Sequence, residues 1–371
     1  MGRGELTRGF GLGRSTALTD GNPWGLWIGF DLLVGVALAA GGFVTSAACY
    51  IFGLKRYHSA VRPAILTAFL GYALVVFALH YDVGRPWRLP YPFFVSQGVT
   101  SVMFEVAICM ALYTIVLWME LVPPVLERFG KQKYLDAFNK SLFFIIALGI
   151  VLPTMHQSGL GALIIAAGTK ISPLWQTPWI GFLFLVSAIV IGFSIVMIEG
   201  ALTVMGLGRR LELHLYRRLT RVLRWILVFY LLVRFGDLWY RGALGAIATE
   251  TTARSTMFLI ENALFAIPVI VLFHRRWRHS AKLLFLSAAC LLLAGAVLRF
   301  NGLIVGYTPS AGYVYFPSVI ELLVSIGLLA VEAVGFIYIV KRFPVLPPRT
   351  HTVAPNARSM PTGLASGQGA G

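Results

Sequence analysis

The stretch Leu152 to Leu163, LPTMHQSGLGAL, sets Pro153, Thr154, His156, Gln157 and Ser158 inside an otherwise apolar run. In lipid a helix-breaking proline and an ionisable ring are both costly, so an intramembrane histidine is a candidate for proton exchange or ligand contact. A plainer account stays open. Thr154 and Gln157 could satisfy the carbonyls that the proline frees, with His156 a hydrogen bond between helices.

Other ionisable groups also lie within apolar runs: Asp31, Glu105, Glu199, Glu261, Glu321 and Glu332. A carboxyl held away from water can pass protons to a positioned neighbour. By position in their runs, Asp31, Glu105 and His156 share the outer third of the membrane, Tyr72 lies near the middle and Glu199 towards the cytoplasm. That order would suit a proton relay to a site at the outer leaflet. It would equally suit unrelated hydrogen bonds between helices. Glu120 and Glu127 are expected at the surface, and Arg299 is expected to snorkel outward. Asp82 with Arg85, and Arg234 with Asp237, have the spacing of helix-end ion pairs, with ligand or partner contact as the alternative.

Metal chemistry has little to work with. Cys49, Cys109 and Cys290 stand singly, so neither a zinc site nor an iron–sulfur cluster is expected. His80 and His156 could in principle share one haem, but a stacked pair of haems would need more histidines within the spans. No haem is expected.

These residues require a membrane scaffold. The 371 residues are 58% hydrophobic and only 12% charged, about half the charged share of a soluble domain. Nine apolar spans can be marked, at about 25–54, 61–81, 98–122, 140–168, 178–206, 219–240, 255–274, 282–300 and 316–341. The net charge of +16 does not indicate nucleic acid. Its basic residues fall in short clusters between spans, 21 on one set of alternate loops and tail against five on the other. The basic set is cytoplasmic by the positive-inside rule, which puts the N-terminus in the periplasm and the C-terminus in the cytoplasm. The expected organisation is a polar tail over 1–21, without a cleavable signal peptide, a helical membrane domain over 22–343 and a disordered cytoplasmic tail over 344–371. The outward loops are rich in aromatics, Pro and Gly, which suits an interfacial belt and a docking surface. HYDVGRPWR closes the second span and RFGDLWYRG the sixth, and SVMFE and STMFLIE follow them. This echo fits two pseudo-equivalent helix bundles, though common helix-end preferences could also produce it.

NPWGLWIGFDLL, YDVGRPWRLPY, FEVAICMALY, LFFIIALGIVLPTMHQSGLGAL, GFSIVMIEG, LVRFGDLWYRG and GYVYFPSVIELLVSIG together resemble the NrfD/polysulfide-reductase membrane-subunit family. The likeness is strongest to the Hyb-type subunits of periplasmic [NiFe] hydrogenases and covers about Asn22 to Pro348. It implies an inner-membrane, quinone-reactive subunit with no redox centre of its own. Such a subunit docks a periplasmic ferredoxin-like iron–sulfur subunit and, through it, a catalytic subunit. It also implies Asp31, Tyr72, Glu105, His156 and Glu199 as proton-route residues, with Trp27, Asp31 and His156 beside the quinone. Gln157, Asp82 and Arg85 are further candidates there. Relatives of this type carry an additional N-terminal span that residues 1–20 do not supply. His80 stands where they have an apolar residue.

The resulting expectation is a membrane subunit that passes electrons between that partner and menaquinone or ubiquinone. The alternatives are an anchor without a redox role, the membrane subunit of a polysulfide or molybdenum reductase, and a secondary transporter suggested by the repeat.

Overall fold

The computed structural model describes residues 16–346 apart from 20, 23, 55–57, 84, 208–212 and 310–314. Most of both expected tails, to residue 15 and from residue 347, therefore lies outside the described residues. Among the described residues the fold is all helix, with two isolated β-bridges and no strand.

Among the described residues, nine long helices order the chain. They are α1 (Trp27–Ile51), α2 (His58–Asp82), α3 (Val102–Glu120), α4 (Leu142–Ala166), α5 (Ile180–Leu207), α6 (Leu213–Tyr240), α7 (Thr252–Phe273), α8 (Ala281–Val305) and α9 (Val319–Arg342). Eight of them are long and apolar enough to cross a membrane unaided. The exception is α6, whose apolar centre runs only from Trp225 to Val233 between charged ends.

Loop contacts show that α6 nonetheless runs between the same two faces. At its start Arg217 donates to the His279 carbonyl at 3.3 Å. At its end Arg241 donates to the Gln176 carbonyl at 2.9 Å. On the first of these faces Arg62 pairs with Glu127 at 2.6 Å and donates to the Pro344 carbonyl. On the other, Ser172 donates to Glu250, and Arg254 donates to Glu250 and to the Tyr307 carbonyl. The first is the arginine-rich face that the sequence assigns to the cytoplasm, and the second carries the aromatic loops. Burial acts to raise the Glu250 pKa, but the bonds from Arg254 and Ser172 outweigh it and hold the carboxyl below its ordinary value. The clasp therefore contributes stability above that ordinary value and loses it as pH falls through the depressed one.

Helices α1 to α4 close one up-and-down ring and α5 to α8 a second, a division at the place where the sequence echo suggested two bundles. The rings meet where α5 packs on α4 and α1, and α8 on α1. Helix α9 lies outside both, against α2 and α1, with nearly all its apolar surface exposed. Exposure of that extent suits lipid, where apolar surface carries no penalty.

Close backbone approach seals the joint between rings. A Cβ added at Gly161 of α4 would stand 2.5 Å from the Cα of Gly181 in α5, with no flexible side chain to yield. Gly161→Ala is expected to cost about 1–3 kcal/mol, visible as a lower Tm of the detergent-solubilised protein. An unchanged Tm would mean that the two helices separate freely.

Candidate functional site

The centre of the first ring is a hydrogen bond. Tyr72 Oη and His156 Nδ1 are 2.8 Å apart, and both side chains are buried. Each residue lies ten positions from the aromatic-face end of its helix, so at 1.5 Å per residue the pair sits about 15 Å below that face. His156 is thus at mid-helix rather than in the outer third, where sequence position alone put it. Among the described residues its Nε2 has no partner. The Tyr113 ring packs edge-on to Tyr72 at 4.6 Å, and its hydroxyl is also unpartnered.

Two turns further along α3, Glu120 is buried as well, which overturns its expected surface position. Its carboxyl lies against Gly149, where an added Cβ would be 2.7 Å from Oε1. Gly149 is the residue whose carbonyl loses its helical donor to Pro153. The orphaned Oε1 of Glu120, Tyr113 hydroxyl and His156 Nε2 form a polar file through the ring towards the basic face. Buried polar atoms without protein partners are the usual places for ordered water. The i, i+7 spacing of Tyr113 and Glu120 was a signal for this file, because it puts both on one face of α3.

Asp31 opens a different feature. It sits about 6 Å from the start of α1, where the backbone takes a π-helical turn from Trp27 to Leu32, and accepts from Ser325 at 3.0 Å. Such turns occur often at functional sites. Asp31 lines a cleft between α1, α2 and α9 that includes Phe30, Gly35, Gly71, Val75 and Glu332, with a free cavity volume of about 30 Å³. A shallow, closely packed groove continues past Val75 to Trp27 and Asp82. Glu199, on α5, interacts with Thr67 and Glu332, so these three mark the end of the same region nearer the basic face.

The remaining predicted residues are placed elsewhere. Glu105 is exposed in the first turn of α3, about 10 Å above the depth of the Tyr72–His156 pair, and does not join it. Arg85 is exposed and forms no ion pair with Asp82 among the described residues. The other expected helix-end pair is rearranged too, since Asp237 pairs with Arg241 at 2.8 Å and Arg234 with Glu261 at 3.3 Å. Glu321 closes a capping box with Ser318 and accepts from Ala17 N and the Tyr315 hydroxyl, so its role is to fix a helix end.

Gln157 turns away from the cleft. It does not serve the proline kink, where Thr154 donates to the Ile150 carbonyl. Instead it donates to Val36 O of α1 and accepts from Arg299 of α8. Arg299 is fully buried rather than snorkelling, and donates also to Ser187 and to the Gly295 and Phe184 carbonyls. This Arg299–Gln157 link ties the second ring to the residue beside His156.

The family described as "Polysulphide reductase, NrfD" matches residues 14–310. The chain is 43% identical over 343 residues to the "Probable Ni/Fe-hydrogenase 2 b-type cytochrome subunit" of Escherichia coli (strain K12), covering 91% of this chain and 87% of that one. It is 30% identical to the "Menaquinone reductase, integral membrane subunit" of Nitratidesulfovibrio vulgaris over 62% of this chain and 57% of that protein. It is also 28% identical to a selenate reductase subunit from Mesobacillus selenatarsenatis, over 39% of this chain and 34% of that protein.

The cytochrome in the first of those names prompts a test for haem. His156 is joined to Tyr72 through Nδ1, and His80 is an exposed ring bonded to its own helix at Val76 O, about 12 Å along α2 from Tyr72. Among the described residues no cluster of three His, Cys, Asp or Glu could hold a metal ion. The two histidines are too far apart to share one haem. What the site does hold is a buried, hydrogen-bonded Tyr72–His156 pair beside a cleft that opens between membrane helices, and in sequence the chain belongs to the NrfD family, as a multi-pass inner-membrane subunit of a respiratory oxidoreductase.

Proposed function

We propose that this subunit passes electrons from a periplasmic iron–sulfur partner, in a complex with a [NiFe] hydrogenase, to a quinone bound in the Asp31 cleft. The observation that carries the proposal is the juxtaposition of that cleft with the Tyr72–His156 pair. Gly71 and Val75 line the cleft, and Tyr72 lies between them in sequence on the same stretch of α2. The names of the hydrogenase and menaquinone-reductase relatives supply the reaction class.

Reducing a quinone to quinol takes two electrons and two protons. The partner supplies the electrons. On this side, Asp31 offers a carboxyl at the cleft and Tyr72 a hydroxyl that His156 Nδ1 can orient and recharge. Two polar routes reach towards the cytoplasm. One runs by Tyr113 and Glu120, the other by Glu332, Thr67 and Glu199. Glu105 is left for the docking side, since it is exposed near the aromatic loops. With protons drawn from the cytoplasm and hydrogen oxidised outside, turnover would be electrogenic.

Asp31→Asn tests the cleft. Hydrogen-to-quinone turnover in membrane vesicles is expected to fall at least tenfold, within the range for a displaced proton-transfer group. Hydrogen oxidation with a soluble artificial acceptor should be unchanged. Unaltered quinone turnover in an assembled complex would sink the proposal. Release of the catalytic subunit from the membrane would point instead to an anchor.

A further inference from the structure

At the basic face, away from the cleft, a pocket opens between the start of α6 and the turn that joins α7 to α8. Arg217, Arg221 and Arg224 line it from α6, Arg278 and His279 from the turn, and Thr220 and Leu272 form its floor. Its free cavity volume is about 110 Å³. The i, i+4, i+7 spacing puts the three arginines of α6 on one stripe of that helix.

Two of the arginines have contacts that hold them in place. Arg217 donates to the His279 carbonyl. The Arg224 guanidinium lies 4.8 Å from the Phe273 ring centre and 5.7 Å from that of Trp225. Its Nε is buried without an acceptor. No carboxylate lines the pocket, and none of the four arginines enters an ion pair among the described residues. Elsewhere on the same face Arg62 is neutralised by Glu127. Four converging cations with no acid beside them among the described residues repel one another, so the arrangement favours an anion with several acceptor oxygens. Phosphate oxygens meet guanidinium groups with matching geometry.

The walls decide which phosphate. Beside the pocket Val222, Trp225 and Phe273 are exposed apolar groups, and the apolar run of α6 continues from Trp225 to Val233. A cationic cup on top of a hydrocarbon-facing wall matches the two parts of a lipid. We propose that this pocket binds the phosphodiester headgroup of an anionic phospholipid, with the acyl chains lying along α6 and α7. A topology signal needs only charge on one side of the membrane. It does not require arginines from two separate segments to enclose a common space.

Native mass spectrometry of the purified full chain in detergent, titrated with phosphatidylglycerol or phosphatidylcholine, tests the site. Phosphatidylglycerol is expected to be retained and phosphatidylcholine not. Arg221→Gln with Arg224→Gln should weaken retention roughly 30-fold, since each removed charge near the surface costs about a factor of five. Lys131→Gln with Lys133→Gln, an equal charge loss elsewhere on the same face, should leave it unchanged. Arg221→Lys with Arg224→Lys should recover part of it. Equal loss in the Lys131 and Lys133 control would reduce the effect to bulk charge and overturn the proposal. So would equal retention of phosphatidylcholine by the unaltered protein, a comparison that holds even if the glutamine pair fails to fold. Displacement of the lipid by inorganic phosphate at the same concentration would assign the pocket to a soluble anion instead.

Discussion

His156→Ala is expected to lower quinone-linked turnover about 100-fold while the complex stays assembled and membrane-bound, a loss typical of removing a positioned acid–base group. Tyr72→Phe should approach the same value, because either change breaks the one hydrogen bond that joins them. If the pair acts as a unit, the double replacement should be little worse than either single one. Two independent contributions would multiply instead. Steady-state turnover of the three variants, with hydrogen as donor and a short-chain quinone as acceptor, separates these outcomes. A structural role would lower Tm and the amount of complex without changing turnover per assembled complex. His156→Gln is a useful companion, since the amide can keep a hydrogen bond to Tyr72 without readily carrying a proton. It should preserve Tm and still lose turnover.

Much of the architecture was legible because span length and charge between spans are strong signals in lipid. The basic clusters and aromatic loops fall on opposite faces, as their contacts show. Even α6, weak as an isolated apolar span, was readable from its place between alternate loops. Depth was legible only approximately, and the direction in which each side chain points was not legible at all. In a soluble helix the polar stripe marks the outside. Here lipid-facing and protein-facing sides are both apolar, so the sequence carries little rotational information. Glu105 and Glu120 show the consequence. They lie on one helix, and the one placed in the relay is exposed while the one placed at the surface is buried. Arg299 shows a second limit. Snorkelling was the economical expectation for an arginine near a span end, but α8 continues past it in a π-helical turn from Asn301 to Val305. That continuation keeps the guanidinium within the bundle, where Gln157, Ser187 and two carbonyls receive it.

The second ring holds the other large effect. Arg234 and Glu261 are completely buried and 3.3 Å apart. Glu261 also accepts from Trp175 Nε1 at 2.8 Å and Asn301 Nδ2 at 2.9 Å. Glu261→Leu removes the acceptor for all three donors and leaves Arg234 as an uncompensated buried charge, with Nε and Nη1 already unpartnered. The expected cost is about 3–5 kcal/mol, seen as a large drop in Tm or as failure to accumulate in the membrane. Arg234→Met alone should also destabilise, since it leaves the carboxylate with only neutral donors. Combining the two should recover part of the loss, because the pair's desolvation cost disappears with it. Recovery should stop short of complete, because Trp175 and Asn301 would still lack their acceptor. Thermal unfolding of the two single variants and the double gives the coupling directly. Simple additivity would mean that the charges do not sense each other across 3.3 Å, and that Trp175 and Asn301 alone hold Glu261 in place. Turnover per assembled complex is a separate readout. If it survives in the double variant, this charge cluster serves the second ring's stability, and proton exchange with the quinone belongs to the first.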